Sequence, residues 1–174
     1  MVRYLPVLIL VTVFAAPALA QDIPQLELGF GYGNFAMEDL TPGRHHGFTT
    51  HQTINVHPVF AIENYLGFYG FGRDPVLGKM EVITEIIGGK VSYRNLGPVI
   101  YGSAGIGGGF LRLPEFGTGE SGFGFKYGGG IDIPFKEFFA VKIDVSKMAF
   151  GFLPNEPRSG GLNVSAAIVI KMGQ

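Results

Sequence analysis

Few residues in this sequence have both the type and the spacing to do chemistry. His45 and His46 are adjacent, and imidazole nitrogens are common metal ligands, but no further donor follows at a workable spacing. The pair reads as exposed loop polarity. Ser121, Glu120 and His46 have the side-chain types of a hydrolytic triad, yet nothing in the local sequence brings them together. Residues 117–122 spell G-T-G-E-S-G, the form G-x-G-x-x-G. A phosphate site would need a helix after the glycines, and a strand pattern follows instead, so the segment reads as a flexible hairpin loop. Asn163-Val164-Ser165 fits a glycosylation sequon but lies in mid-strand. No catalytic, cofactor-binding or metal-binding residue is assigned on this basis.

The remaining candidates are charges. Glu27, Glu63, Glu81, Glu85, Lys126, Asp132, Lys142, Asp144 and Lys171 fall within segments that otherwise alternate apolar and small residues. If those segments enclose a space, the charges inside must pair or meet water, because an isolated buried charge is costly. A packed network of ion pairs is expected, and a narrow ion path gated by those pairs is the functional alternative. His51 and His57 share a face with Thr49, Thr53 and Asn55 and are expected on the same side.

The elements that position these charges are strands. Eight alternating segments fall near 25–34, 47–57, 59–69, 79–93, 97–112, 121–133, 137–148 and 160–172. In the first, Leu26, Leu28, Phe30 and Tyr32 oppose Glu27, Gly29, Gly31 and Gly33; in the seventh, Phe139, Val141, Ile143 and Val145 oppose Ala140, Lys142, Asp144 and Ser146. Side chains two apart share a sheet face. The fourth segment is less regular: Met80, Val82, Thr84 and Ile86 share a face, while Val91 and Tyr93 are out of phase, so a β-bulge at Gly88-Gly89 is expected. The fifth is too rich in glycine to assign faces.

Connections alternate in length. Short junctions lie at 57–58, 94–98 and 134–136, and longer ones near 35–46, 70–78, 113–120 and 149–159. This is the pattern of a membrane barrel with short inner turns and long outer loops, and it places both termini on the inner side. Tyr32, Phe35, Phe48, Tyr69, Phe71, Tyr93, Phe110, Phe123, Phe138, Phe150 and Phe152 lie near segment ends and are read as interfacial girdles.

Composition agrees. The chain has 174 residues, with 28 Gly, 16 Phe, 7 Tyr and no Cys, and only 16% are charged. Mean hydropathy is +0.29. A soluble surface carries about 25–35% charged residues. The weakly charged second faces therefore suit the cramped interior of an eight-stranded barrel with its apolar side outward. The alternative is a soluble exported lipocalin-like barrel that binds a small hydrophobic ligand. With 13 Lys and Arg against 14 Asp and Glu, and no basic patch, nucleic acid is excluded as a partner.

Residues 1–20 read as a cleaved signal peptide: Arg3, an apolar run from Leu5, then Ala18-Leu19-Ala20 as a small-x-small cleavage site. Residues 21–174 then form one domain. The strands 26–33, 99–111 and 123–133, with the closing Gly161-Leu162-Asn163-Val164-Ser165-Ala166-Ala167-Ile168-Val169-Ile170, resemble the small outer-membrane β-barrel family typified by the OmpA transmembrane domain. The resemblance implies an all-β, eight-stranded antiparallel up-and-down transmembrane barrel in the bacterial outer membrane, inserted by the outer-membrane assembly machinery. Such barrels generally end on an aromatic residue, whereas this chain ends Ile170-Lys171-Met172-Gly173-Gln174. No peptidoglycan-binding domain follows, so a cell-wall tether is not expected. The expected partners are outer-membrane lipid, the assembly machinery and an unknown partner of the external loops, with the barrel itself a monomer. The expected role is structural or surface interaction without enzymatic activity, with minor ion permeability as an addition and a lipid-modifying barrel enzyme as an alternative.

Overall fold

A computed structural model of the chain describes residues 23–37, 43–71, 73–74, 78–94, 97–151 and 159–173. The expected signal peptide lies outside the described residues. Among the described residues, eight long strands follow one another: β1 (Leu26–Met37), β2 (Gly43–Asn55), β3 (Phe60–Phe71), β4 (Glu81–Tyr93), β5 (Val99–Leu113), β6 (Thr118–Lys136), β7 (Phe139–Phe150) and β8 (Ser159–Met172). Each pairs antiparallel with the next, and β8 pairs with β1 from Leu26↔Met172 to Met37↔Gly161, which closes the barrel. Closure leaves no strand edge unpaired, and that is what allows a sheet to stand in hydrocarbon.

The period of two decides which side chains face in. Phe30, Tyr32, Ile143, Val145, Val164 and Ile168 stand outward and exposed, while Glu27, Lys142, Asp144, Asn163 and Ser165 on the same strands are buried inside. This sense is the reverse of a soluble ligand-binding barrel, whose apolar face lines the cavity. On β5, where glycines obscured the faces, Val99, Tyr101 and Leu111 point inward and Ile100, Ile106 and Phe110 outward.

Several expectations are corrected. β4 runs through Gly88 and Gly89 with unbroken register against both β3 and β5. Val82, Thr84 and Ile86 point inward along with Lys90 and Ser92, while Ile83, Ile87, Val91 and Tyr93 point outward. No bulge is needed, because apolar residues occupy both faces of this strand. The register shifts instead at His46/Gly47, between β2 and β3, and at Pro134/Lys136, between β6 and β7. Strands also run further than read. The expected loop at 113–120 contracts to the 3-10 turn Pro114–Phe116 and Gly117, which takes a left-handed φ of 65° that favours glycine. Most of 117–122 is therefore strand. Between β3 and β4, Arg73–Asp74 and Gly78–Lys79 form a two-residue ladder.

Candidate functional site

The barrel interior divides into two layers. At the end that carries both termini lies a network of charges. Lys142 donates to Glu63 Oε2 at 3.0 Å, and its Nζ stands 3.9 Å from Asp132. Lys90 donates to Asp132 Oδ2 at 2.9 Å and lies 3.5 Å from Glu27. Lys126 sits 3.3 Å from Asp144 and 3.7 Å from Glu63. Asn55 donates to Glu27 at 3.0 Å, and Arg94 donates to Asn55 at 2.9 Å and to the Pro58 carbonyl at 3.0 Å. The Tyr101 ring lies beneath two ammonium groups, Lys90 at 4.3 Å and Lys142 at 4.6 Å from its centroid, and its hydroxyl donates to Asp144 at 3.0 Å. Low dielectric strengthens each contact, and that attraction offsets the cost of taking the charges out of water only because they interlock.

Toward the opposite end the lumen is filled by Phe35, Met37, Tyr69, Met80, Val82, Ile86, Leu111, Met148 and Phe150. A hydrogen-bond chain joins the layers: Tyr65 meets Tyr69, whose hydroxyl donates to Asn163 at 2.7 Å; Asn163 donates to Ser146 at 3.3 Å, and Ser146 to Asp144 at 2.9 Å. Glycines seat the rings. A Cβ on Gly67 would lie 2.5 Å from the Tyr69 ring, and one on Gly124 would overlap Phe150. The small inner side chains thus act as sockets for inward aromatic rings as well as relief from crowding.

Of the nine charges singled out from sequence, Glu27, Glu63, Lys126, Asp132, Lys142 and Asp144 are brought together in the lumen. Lys171 stands on the inward side at the terminus end, opposite Glu27 and partly exposed. Glu81 and Glu85 are corrections. Both stand on the outward face of β4, because Val82 and Ile86 fill the apolar layer inside. Glu81 pairs at the rim with Lys79 at 2.8 Å and Arg112 at 3.7 Å. Sequence reasoning missed Lys90 and Arg94. Lys90 alternates with outward Val91 and Tyr93, which was the available signal, and Arg94 was read only as a turn residue.

The histidines separate. His51 is buried, with Nδ1 3.8 Å from Glu63 and its ring edge-on to Tyr65. His57, expected inside, is instead exposed in the 56–59 turn, where Nδ1 accepts from the Val59 amide. His46 faces outward, stacked on Tyr32 and bonded to Asn34. Ser121 is exposed on β6, four strands around the barrel from His46 on β2, so the conceivable triad is not assembled. Phe35, Tyr69 and Phe150, read as girdle residues, are fully buried in the lumen, whereas Tyr32, Phe48, Tyr93, Phe110, Phe123 and Phe138 are exposed. Phe152 and the Phe71 side chain lie outside the described residues.

Comparison with known proteins agrees with this geometry. The family described as outer membrane protein beta-barrel domain matches residues 7–168. Among solved structures, Neisserial surface protein A superposes with a TM-score of 0.70 at 8% identity, covering 85% of this chain and 97% of that one. Ail, the attachment invasion locus protein of Yersinia pestis, gives 0.57 at 17% identity, covering 85% and 99%. The N-terminal barrel of Pseudomonas aeruginosa OprF gives 0.52 at 13%, covering 84% and 98%. At these identities the likeness is one of fold. No curated protein matches by sequence.

Proposed function

The chain belongs to the outer membrane protein beta-barrel domain family, and on that footing we propose that it is a closed, non-enzymatic barrel serving a structural or surface-interaction role. It is a protein of the bacterial outer membrane. The termini face the periplasm and the opposite end presents its loops to the exterior. The names of Neisserial surface protein A and of Ail, an attachment invasion locus protein, support a role at the surface. A partner of the loops and insertion by the outer-membrane assembly machinery belong to this reading.

One observation carries it: among the described residues the lumen holds paired charges in one layer and packed, mostly apolar side chains in the other. Eight strands enclose just enough room for side chains. An ion leaving the charged layer would meet Phe35, Met80, Met148 and Phe150, with only a few buried polar side chains such as His45, Thr49 and Thr84 to replace its hydration shell. The ion path considered from the sequence is thus closed, and the barrel serves as a rigid support for its loops. Purified protein reconstituted into planar bilayers is expected to show no conductance steps above the lipid background. Reproducible steps that scale with salt would overturn the closed-lumen reading.

A further inference from the structure

The outer wall of the barrel is not uniformly apolar. Around β6, β7, β8 and β1 its middle is built from side chains such as Phe125, Ile143, Val164, Ile168 and Phe30. Lys147 on this side stands nearer the loop end, where a lysine can reach the headgroups. On β2, β3 and β4 the pattern breaks. Thr50, Gln52, Asn64 and Glu85 all occupy outward positions. Gln52 lies directly opposite Asn64, with Thr50 two residues along the same strand, and Glu85 lies across Leu66 from Thr50 and diagonal to Asn64, so the four cluster around Leu66.

The patch lies deep. Asn64 is midway between outward Phe60 and Phe68, and Gln52 midway between Phe48 and Val56, all four exposed. Four residues of a tilted strand put it roughly 10 Å from either interface of a belt about 25 Å tall. Hydrocarbon there offers neither donors nor acceptors. Asn64 Oδ1 and Thr50 Oγ1 are shielded yet have no hydrogen-bond partner among the described residues. The neighbouring wall of β5 presents Gly102, Ala104 and Gly108 outward around a projecting Ile106, with Gly108 opposite Glu85, so small residues flank one apolar knob where another barrel can approach.

We propose that this patch is the contact through which two copies of the chain pair side by side within the membrane. A carboxamide both donates and accepts, and so does a hydroxyl. A two-fold axis through the patch therefore sets Gln52, Asn64 and Thr50 against the same groups of a second copy, at the same depth by construction, and offers the Glu85 carboxylate, which only accepts, their amide and hydroxyl donors. Lipid tails satisfy none of them, and a different protein would need a matching polar patch at that depth. The inference departs from the monomer expected of a self-contained barrel.

The absence of cysteine gives a clean test. Gln52→Cys and, on the far wall, Ile131→Cys are each introduced alone and oxidised in outer membranes. Most of the Gln52→Cys protein is expected to migrate at twice the chain mass, and the Ile131→Cys protein to remain single. In mild detergent, wild type is expected at the mass of two chains and Gln52→Leu/Asn64→Leu at one, with the double variant still shifting its gel mobility on boiling as a folded barrel does. A Gln52→Cys chain that stays single, equal cross-linking at both walls, or an adduct containing a different protein would overturn the proposal.

Discussion

Lys142 serves two carboxylates at once, Glu63 and Asp132, over the face of Tyr101. It and both carboxylates are buried, so its removal leaves acidic groups buried with less compensation. Lys142→Met is expected to lower unfolding stability by about 3–5 kcal/mol, read by urea titration in lipid vesicles. Adding Glu63→Leu should recover part of the loss, since Lys126 keeps Asp144 and Lys90 keeps Asp132. Glycines on the two sides of the wall should respond differently. At Gly67 a methyl would press on the Tyr69 ring and on Thr84 Oγ1 at 2.7 Å, with no room to yield. Gly67→Ala is expected to cost about 1–3 kcal/mol. A Cβ at outward Gly89 meets nothing within 4 Å, and Gly89→Ala should stay within roughly 0.5 kcal/mol of wild type in the same titration.

At the scale of the strand, β4 is where physical context outweighs pattern. Its phase is open to a direct check: single cysteines at Ile83 and Ile87 should react with a lipid-soluble maleimide in folded protein, and cysteines at Val82 and Ile86 should be protected until unfolding. The opposite result would restore the phase read from sequence. The strands β1, β6, β7 and β8 were legible because one face is apolar and the other small or charged, so alternation alone sets both period and sense. On β4, Val82 and Ile86 are as apolar as Ile83 and Ile87, so these four alone do not say which set faces lipid. The same ambiguity sent Glu81 and Glu85 to the wrong side and left Lys90 unassigned. Phe35, Tyr69 and Phe150 were misplaced for a related reason. A ring at a strand end suits a headgroup interface or a lumen plug equally well, and the glycine that seats it can lie on another strand.

In the molecule as a whole, strand count, closure and the sense of the wall follow from dispersed apolar residues, low charge and abundant glycine. The layering inside does not, because it depends on which side chains from different strands arrive at the same height. That arrangement makes the lumen a filled support, and it confines variable chemistry to the loops and to the outer patch on β2–β4. Many partners inside the lumen also lie far apart along the chain, with a sequence separation of 79 from Glu63 to Lys142 and of 94 from Tyr69 to Asn163. Local pairs such as Tyr65 with Tyr69 and Ser146 with Asp144 form within one strand, but the contacts that span the lumen need strands distant in the chain. The lumen cannot be completed as strands are added one by one. The spanning contacts form only when the last strands return to the first, so much of the lumen's stabilisation arrives late in assembly, after the entropy of closing long loops has been lost.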